Sequence, residues 1–265
     1  MDVVFTDLDG TLLEHSTYSF AEAKPALELL RRQRIPLIGC SSKTRSEVEF
    51  WRKQLGNEHP FIVENGGAVF LPSGYFSHEV PGAVHRDGYL MLQLGTPYAD
   101  LVESLRWASE ESRCKVRGFS QMSVAEVSEH CQMSLHHAAM AKVREFDEPF
   151  LLLEQEKAQD LLSAIELRGR HWTRGGRFYH ILGDNDKATA VKLLLNQYRV
   201  VDRAVHSVGL GDGLNDAPFL NAVDVSILIR TPWLEQLQAL VPRGRPTDLP
   251  GPRGWNQSIL DLYSS

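Results

Sequence analysis

Two acidic clusters, far apart along the chain, carry the residues best suited to chemistry. The first is VVFTDLDGT, where Asp7 and Asp9 lie two residues apart directly after a short apolar run. Side chains alternate along a strand, so the two carboxylates would share a face if the strand ran on. Gly10 instead marks a turn, which leaves both at the strand's carboxyl end, where open α/β sheets bind their ligands. Such a pair can divide phosphoryl chemistry between one carboxylate that attacks and one that moves protons. Taken alone, the same residues also read as an Asp-Gly turn with a solvated acidic neighbour.

The second cluster is SVGLGDGLNDAPFL, again directly after an apolar run, with Asp212 and Asp216 four apart around Gly213 and Asn215. By itself it also reads as an Asp-Gly turn followed by a helix-capping aspartate. Both clusters follow buried strands, so both can sit at one edge of a parallel sheet. Four carboxylates crowded there would repel, by about 4 kcal/mol for two unit charges 4 Å apart at an effective dielectric near 20. Either some are protonated or a cation is bound. Mg²⁺ suits an oxygen-only site with positions open to water and phosphate, and neither motif holds the His or Cys that zinc prefers.

Two further residues suit a phosphate. Ser41 follows the apolar PLIGC, so its hydroxyl and the next backbone N–H groups can contact an anion at a helix start; an ordinary N-cap serine would occupy the same place. Lys187 opens a helix, where the macrodipole does not favour a cation. An anionic partner would explain it, and so would simple solvation.

The elements that must position these residues alternate. Strands are expected at VVFTDLD, Pro36 to Cys40 and Phe61 to Val63, and helices at Phe20 to Arg34 and Thr44 to Leu55, the latter stopped by Gly56. Such alternation predicts parallel strands with crossover helices. From Gly88 the texture changes: a strand to Leu94, a helix over Tyr98 to Ser109, and two short helices capped by Ser123 and Ser134. A strand at Phe150 to Leu153, a helix at Gln155 to Leu167 and a strand at Phe178 to Leu182 complete that unit. Alternation then resumes, with a helix over Asp186 to Gln197, a strand over Ala204 to Gly209, a short helix over Asp216 to Val223 and a strand over Val225 to Ile229. Pro242 to Gly254 reads as a surface loop. The expected architecture is α/β, a Rossmann-like parallel-sheet core of residues 1–82 plus 183–265 interrupted by an α+β unit of residues 83–182.

Bulk properties narrow the class. The chain has 265 residues, 43% of them hydrophobic, and a net charge of −6 with no long basic run, so nothing favours nucleic acid. Cys40, Cys114 and Cys131 are scattered and lack C-x-x-C spacing, which argues against a disulfide framework or structural zinc. No apolar stretch is long enough to span a bilayer, and the N-terminus lacks a signal-peptide pattern. A cytoplasmic protein is expected.

DLDGT, a serine after the second strand, a later lysine and GDGLND occur in the order of the haloacid dehalogenase-like (HAD) superfamily, which the chain resembles. The resemblance implies Asp7 as a nucleophile that forms an aspartyl-phosphate and Asp9 as general acid and then general base. It implies that Ser41 and Lys187 hold the phosphoryl group. Asp7, the Asp9 backbone carbonyl and Asp212 would ligate Mg²⁺, Asp216 supporting directly or through water, with Asn215 behind them. An acid at position 9 is similar to the phosphatases and phosphomutases of the superfamily, and an insertion between Ser41 and Lys187 is similar to a C2-type (Cof-like) cap of sugar phosphatases. CSSKT with Glu47, ENGG, GFSQMSVAEV, AKVREFDEPF and GGRFYHILG resemble the mannosyl-3-phosphoglycerate phosphatase family. That resemblance implies hydrolysis of mannosyl-3-phosphoglycerate to mannosylglycerate, a compatible solute. One departure is LGDNDKATA, where many relatives have glycine after the lysine.

A substrate of that kind is a small phosphorylated glycoside bearing a carboxylate. Lys43 and Arg45, in the loop after Ser41, could meet an anion, and so could Arg144. Arg174, Arg177 and His180 cluster in TRGGRFYH, where Gly175 and Gly176 allow close backbone approach. Each could equally be a charge around a hairpin, and Arg144, Glu145 and Glu148 could form a structural ion pair. His136 and His137, about 100° apart on a helix, make a poor chelate and read as surface residues. Trp51 and Trp107 read as packing, Trp172 as packing or a sugar platform. A glucosyl-3-phosphoglycerate or broader sugar-phosphate phosphatase, a phosphomutase and a phosphosugar-binding regulator are the alternative readings.

Overall fold

The structure, a computed structural model, describes residues 1–175 and 178–264. The strand Asp2–Thr6 lies in the middle of a nine-stranded sheet because both its faces are apolar. Val4 joins one core cluster, and Val3 and Phe5 join another on the opposite face. A continuous apolar run is what a doubly covered parallel strand requires. Six strands run parallel in the order Arg245–Pro250, Val225–Arg230, His206–Gly211, Asp2–Thr6, Leu37–Cys40 and Phe61–Val63. Three more, Ala68–Pro72, Tyr89–Gln93 and Val84–Arg86, extend the sheet antiparallel. The parallel α/β core is thus as expected.

Register brings the motifs together. Thr6 pairs with Gly39 on one side and Leu210 on the other, and the Asp7 N–H donates to Leu210 O (2.9 Å). Asp7, Ser41 and Asp212 therefore leave neighbouring strands at the same sheet edge.

The inserted unit is an antiparallel sheet of Val116–Gly118, Glu148–Leu152, Phe178–Leu182 and His171–Gly175. Helices Tyr98–Ser112 and Ala158–Leu167 pack Leu101, Leu105 and Ile165 against Phe150 and Ile181 of that sheet. Helices Val124–Cys131 and Leu135–Ala141 begin at Ser123 and Ser134, whose hydroxyls accept from the N–H groups of Glu126 and His137.

Two boundaries differ from the sequence reading. Residues 83–94, expected in the insertion, extend the large sheet: Tyr89–Gln93 pairs with Ala68–Pro72 and Val84–Arg86 with Tyr89–Gln93. Asp87-Gly88, both left-handed at φ 48° and 84°, makes the two-residue turn of that hairpin. Likewise, Pro242 to Gly254 is not a loop. Arg245–Pro250 is the edge strand, where its prolines cost no interior ladder bond, and helix Gly251–Tyr263 starts within the stretch.

The chain passes from core to cap near Thr96 and returns near Gly183. These crossings touch, because a Cβ on Gly183 would overlap the Thr96 side chain. A separate contact comes from cap residues 140–147. Thr44 Oγ1 donates to Met140 O (2.9 Å), and the buried Glu64 carboxylate accepts from the N–H groups of Glu145 and Phe146.

Candidate active site

At the sheet edge, carboxylate oxygens of Asp7, Asp212 and Asp216 all lie within 4.8 Å of one another. The buried Lys187 ammonium bridges two of them, 2.7 Å from Asp7 Oδ1 and 2.6 Å from Asp216 Oδ1. It reaches inward from the first turn of helix Lys187–Val201, whose cap is the Asp186 side chain. The cationic residue at a helix start is explained by anions, here the chain's own. Asp216 Oδ2 accepts from the N–H groups of Asp212 (3.1 Å) and Gly213 (2.9 Å), which sets the loop's curvature. Thr11 donates to Asp212 Oδ1 (2.8 Å).

Gly10 closes the space between the two motifs. It adopts φ +75°, and a Cβ there would lie 2.5 Å from Asp212 Oδ2. Glycine is needed for both reasons.

Electrostatics mark a site short of positive charge. Burial raises Asp7 to about 6; the Lys187 charge opposes this and Asp216 adds to it. Burial, then Asp7 and Asp216, push Asp212 well above the usual carboxylate range. Burial would lower Lys187, but Asp216 and Asp7 more than offset that and hold it above an ordinary lysine. The converging donors are all oxygen, so the cluster fits a hard cation. Asp9 points elsewhere: its carboxylate meets Lys43 through Oδ2 and lies outside the three-carboxylate cluster. Asp9 Oδ1 is buried and has no hydrogen-bond partner.

Ser41 is buried at the end of Leu37–Cys40, with its hydroxyl accepting from the Lys43 N–H (3.2 Å). It is not the N-cap. Thr44 caps helix Arg45–Leu55 in a capping box with Glu47. Lys43, expected to meet substrate, lies 2.9 Å from Asp9 Oδ2 and 3.4 Å from Glu47 Oε1. Its ammonium also covers the Tyr18 ring at 4.7 Å.

Several expected substrate readers have other partners. Arg45 pairs with Asp87 (2.8 Å) and Glu145 (3.2 Å). Arg144 donates to Ser42 O (3.0 Å) and Ala141 O (2.9 Å), joining cap to core. The Glu148 carboxylate accepts from Tyr98 and Ser120, a structural role. Arg174 lies over the Tyr179 ring at 5.1 Å. His180 is buried with Nδ1 on Asp147 (2.8 Å). Gly175 ends the strand His171–Gly175, while Gly176 and Arg177 lie outside the described residues. His137 is no plain surface residue, since its ring packs on Tyr18, Phe50 and Trp51 across the cap–core boundary.

Asn65 is the residue that sequence reasoning missed. Its Nδ2 donates to Asp147 Oδ2 (2.8 Å), and its Oδ1 accepts from Asn215 Nδ2 (3.1 Å). The signal was Asn-Gly after a strand, since Asn65 is left-handed at φ 56°.

A cleft of about 330 Å³ opens between cap and core, lined by Lys187, Asn215 and Asn65 from the core side and by His171, Trp172 and Thr173 of the cap. Trp172 is exposed there, with its Nε1 donating to Glu166. A larger groove of about 760 Å³, beside Arg52, His59 and Tyr89, contains none of the acidic cluster.

A strand-borne aspartate pair, a loop carrying two more and a bridging lysine under an inserted cap define a class. The model of the haloacid dehalogenase-like hydrolases matches residues 4–83. The glucosyl-3-phosphoglycerate/mannosyl-3-phosphoglycerate phosphatase of Methanococcoides burtonii is 40% identical over 262 residues, 98% of this chain and 96% of that one. The mannosyl-3-phosphoglycerate phosphatase of Pyrococcus furiosus is 39% identical over 228 residues, covering 86% and 90%. Among solved structures, a HAD subclass IIB sugar phosphatase superposes with a TM-score of 0.69 at 14% identity, covering 99% of each chain. The chain belongs to the haloacid dehalogenase-like hydrolases and, within them, to the family of these glycosyl-phosphoglycerate phosphatases.

Proposed function

We propose that this phosphatase hydrolyses mannosyl-3-phosphoglycerate to mannosylglycerate and phosphate, with Mg²⁺ as cofactor. A glucosyl-3-phosphoglycerate activity is the second reading, favoured by the double name of the Methanococcoides burtonii relative. The observation that carries the chemistry is Lys187 bridging Asp7 and Asp216 beside Asp212 at one sheet edge. Asp7 attacks phosphorus as its carboxylate, the form that the Lys187 ammonium at 2.7 Å favours against burial. An Asp7–phosphorus bond forms as the bond to the glycerate oxygen breaks, and Asp9 gives that oxygen its proton. Asp9 then takes a proton from water, whose oxygen displaces the Asp7 carboxylate from phosphorus. Ser41 and Lys187 hold the phosphoryl oxygens throughout. Asp7, the Asp9 carbonyl, Asp212 and Asp216 would hold Mg²⁺, which supplies charge neutralisation at the phosphoryl group. Arg144, Arg174, Gly175 and His180, with Lys43 and Arg45, remain the proposed substrate side, together with Gly176 and Arg177, which lie outside the described residues. The buried thiols of Cys40 and Cys114 suit a reducing, cytoplasmic setting, and no described helix is long and apolar enough to cross a membrane.

Phosphate release from the purified chain tests this reading, using both glycosyl phosphoglycerates, hexose phosphates and p-nitrophenyl phosphate, with Mg²⁺ or a chelator. The highest kcat/KM is expected for a glycosyl phosphoglycerate, only with Mg²⁺, and none for Asp7→Asn. Equal or faster turnover of hexose phosphates would indicate a broad sugar phosphatase. Phosphate returned to a sugar would indicate a mutase, and binding without turnover a regulator.

A further inference from the structure

Asn65 bonds to four segments that surround the site. Its backbone N–H donates to Ser41 O (3.0 Å), its backbone carbonyl accepts from Asn185 Nδ2 (3.3 Å), and Asn185 lies two residues before Lys187. Its side-chain oxygen holds Asn215, between Asp212 and Asp216. Its side-chain nitrogen holds Asp147, a fully buried cap residue whose carboxylate also meets His180 Nδ1 of the cap sheet. The chain His180–Asp147–Asn65–Asn215 therefore runs without interruption from the cap sheet to the acidic loop.

Three features make this more than a packing contact. Asn65 is 4% exposed, so each of its amide bonds is made away from water, where losing one leaves a partner unsatisfied. Its backbone is left-handed at φ 56°, a conformation that asparagine and glycine tolerate and bulkier residues resist, which restricts what can stand here. Both amide ends are used with one orientation: the donor faces a carboxylate, which can only accept, and that forces the oxygen toward Asn215.

We infer that Asn65 is a positioning residue that couples the seating of the cap to the alignment of the acidic loop. When a leaving group draws the cap sheet onto the core, Asp147 pulls on the Asn65 amide and Asn215 follows. A substrate that fills the cap thereby gains turnover that a small phosphate ester does not. This inference rests on the phosphatase reading above.

The test compares kcat for mannosyl-3-phosphoglycerate with kcat for p-nitrophenyl phosphate, whose leaving group is small. Asn65→Gly removes the side chain while tolerating the backbone angle. Asn65→Asp sets two carboxylates against each other. The pair Asn65→Asp with Asp147→Asn exchanges donor and acceptor, restoring both bonds at unchanged net charge. The kcat ratio should fall by about 5–150-fold, the usual span of coupling between sites, in each single variant and recover in the exchanged pair. Far-UV circular dichroism establishes that the variants fold. An unchanged ratio, an equal fall for both substrates, or no recovery in the exchanged pair would overturn the coupling. Amide hydrogen exchange gives a reading independent of turnover. In Asn65→Gly, residues 144–147 and 211–216 should lose protection together, and loss in one segment alone also overturns it. A wild-type protein inactive on both esters would instead defeat the phosphatase reading.

Discussion

The Lys43 ammonium lies 2.9 Å from Asp9 Oδ2, so the proposed acid–base residue already has a cation of the chain's own beside it. Burial raises the Asp9 pKa, and Lys43 is the largest influence opposing the rise. Glu47, on the far side of Lys43, anchors that cation at 3.4 Å.

Replacing Lys43 with methionine removes the lowering influence, so Asp9 keeps its proton to higher pH. Leaving-group protonation survives, while water activation needs the ionised form. Steady-state kcat at neutral pH should fall by about 10²-fold, within the range of general acid–base effects, and its acidic limb should move to higher pH. A burst of leaving group should precede the slow phase in rapid-mixing experiments. An unchanged pH profile would assign Lys43 to the substrate alone.

Gly10→Ala tests the closeness of the two acidic motifs. The methyl group meets Asp212 Oδ2 at 2.5 Å on a backbone at φ +75°. A left-handed non-glycine residue costs about 1–3 kcal/mol. The protein should fold with a lower Tm and lose most Mg²⁺-dependent turnover. Full activity would show that Asp212 can withdraw without consequence.

A cation that binds only the folded chain stabilises it by mass action, by about 2.7 kcal/mol at a hundredfold excess over Kd. Mg²⁺ should therefore raise the Tm of the wild type. The rise should be lost in Asp212→Asn, which removes one of the three clustered carboxylates. Equal shifts in both proteins would place the ion elsewhere.

Glu64 makes stability depend on pH. Burial raises it from 4.5 to about 8, although Arg144 and the N–H groups of Phe146 and Glu145 oppose the shift. The folded chain then keeps a proton that the unfolded chain has released. The stabilisation is complete below about pH 4.5 and declines as pH rises through about 8. Glu64→Gln abolishes that decline, so its Tm should gain on the wild type as pH rises across this window. Parallel melting curves at every pH would contradict the shift.

The acidic motifs were legible because each follows a run apolar enough to be a buried strand, and short turns leave few places for them to go. The cations were harder. Lys43, Arg144 and His180 are recognisable as charges near a site, yet their partners, Asp9, Ser42 O and Asp147, come from other segments that only the fold brings close. The hairpin at Asp87-Gly88 carries a turn signal, but nothing local states which sheet it joins. Arg245–Pro250 hides for a different reason. An exposed edge strand with prolines at both ends has neither the apolar alternation nor the composition of an interior one.

The touching of Gly183 and Thr96 has a mechanical corollary. Two chain crossings in mutual contact constrain the cap almost as a single pivot, which by itself would leave three rotations free. The Glu64 carboxylate, gripping the amides of Glu145 and Phe146, adds a second fixed point. Thr44 on Met140, Arg144 on Ser42 and Asn65 on Asp147 fasten the same short cap segment to the core. The seating of the cap is thus fixed by residues 140–147, far along the chain from the crossings that tether it.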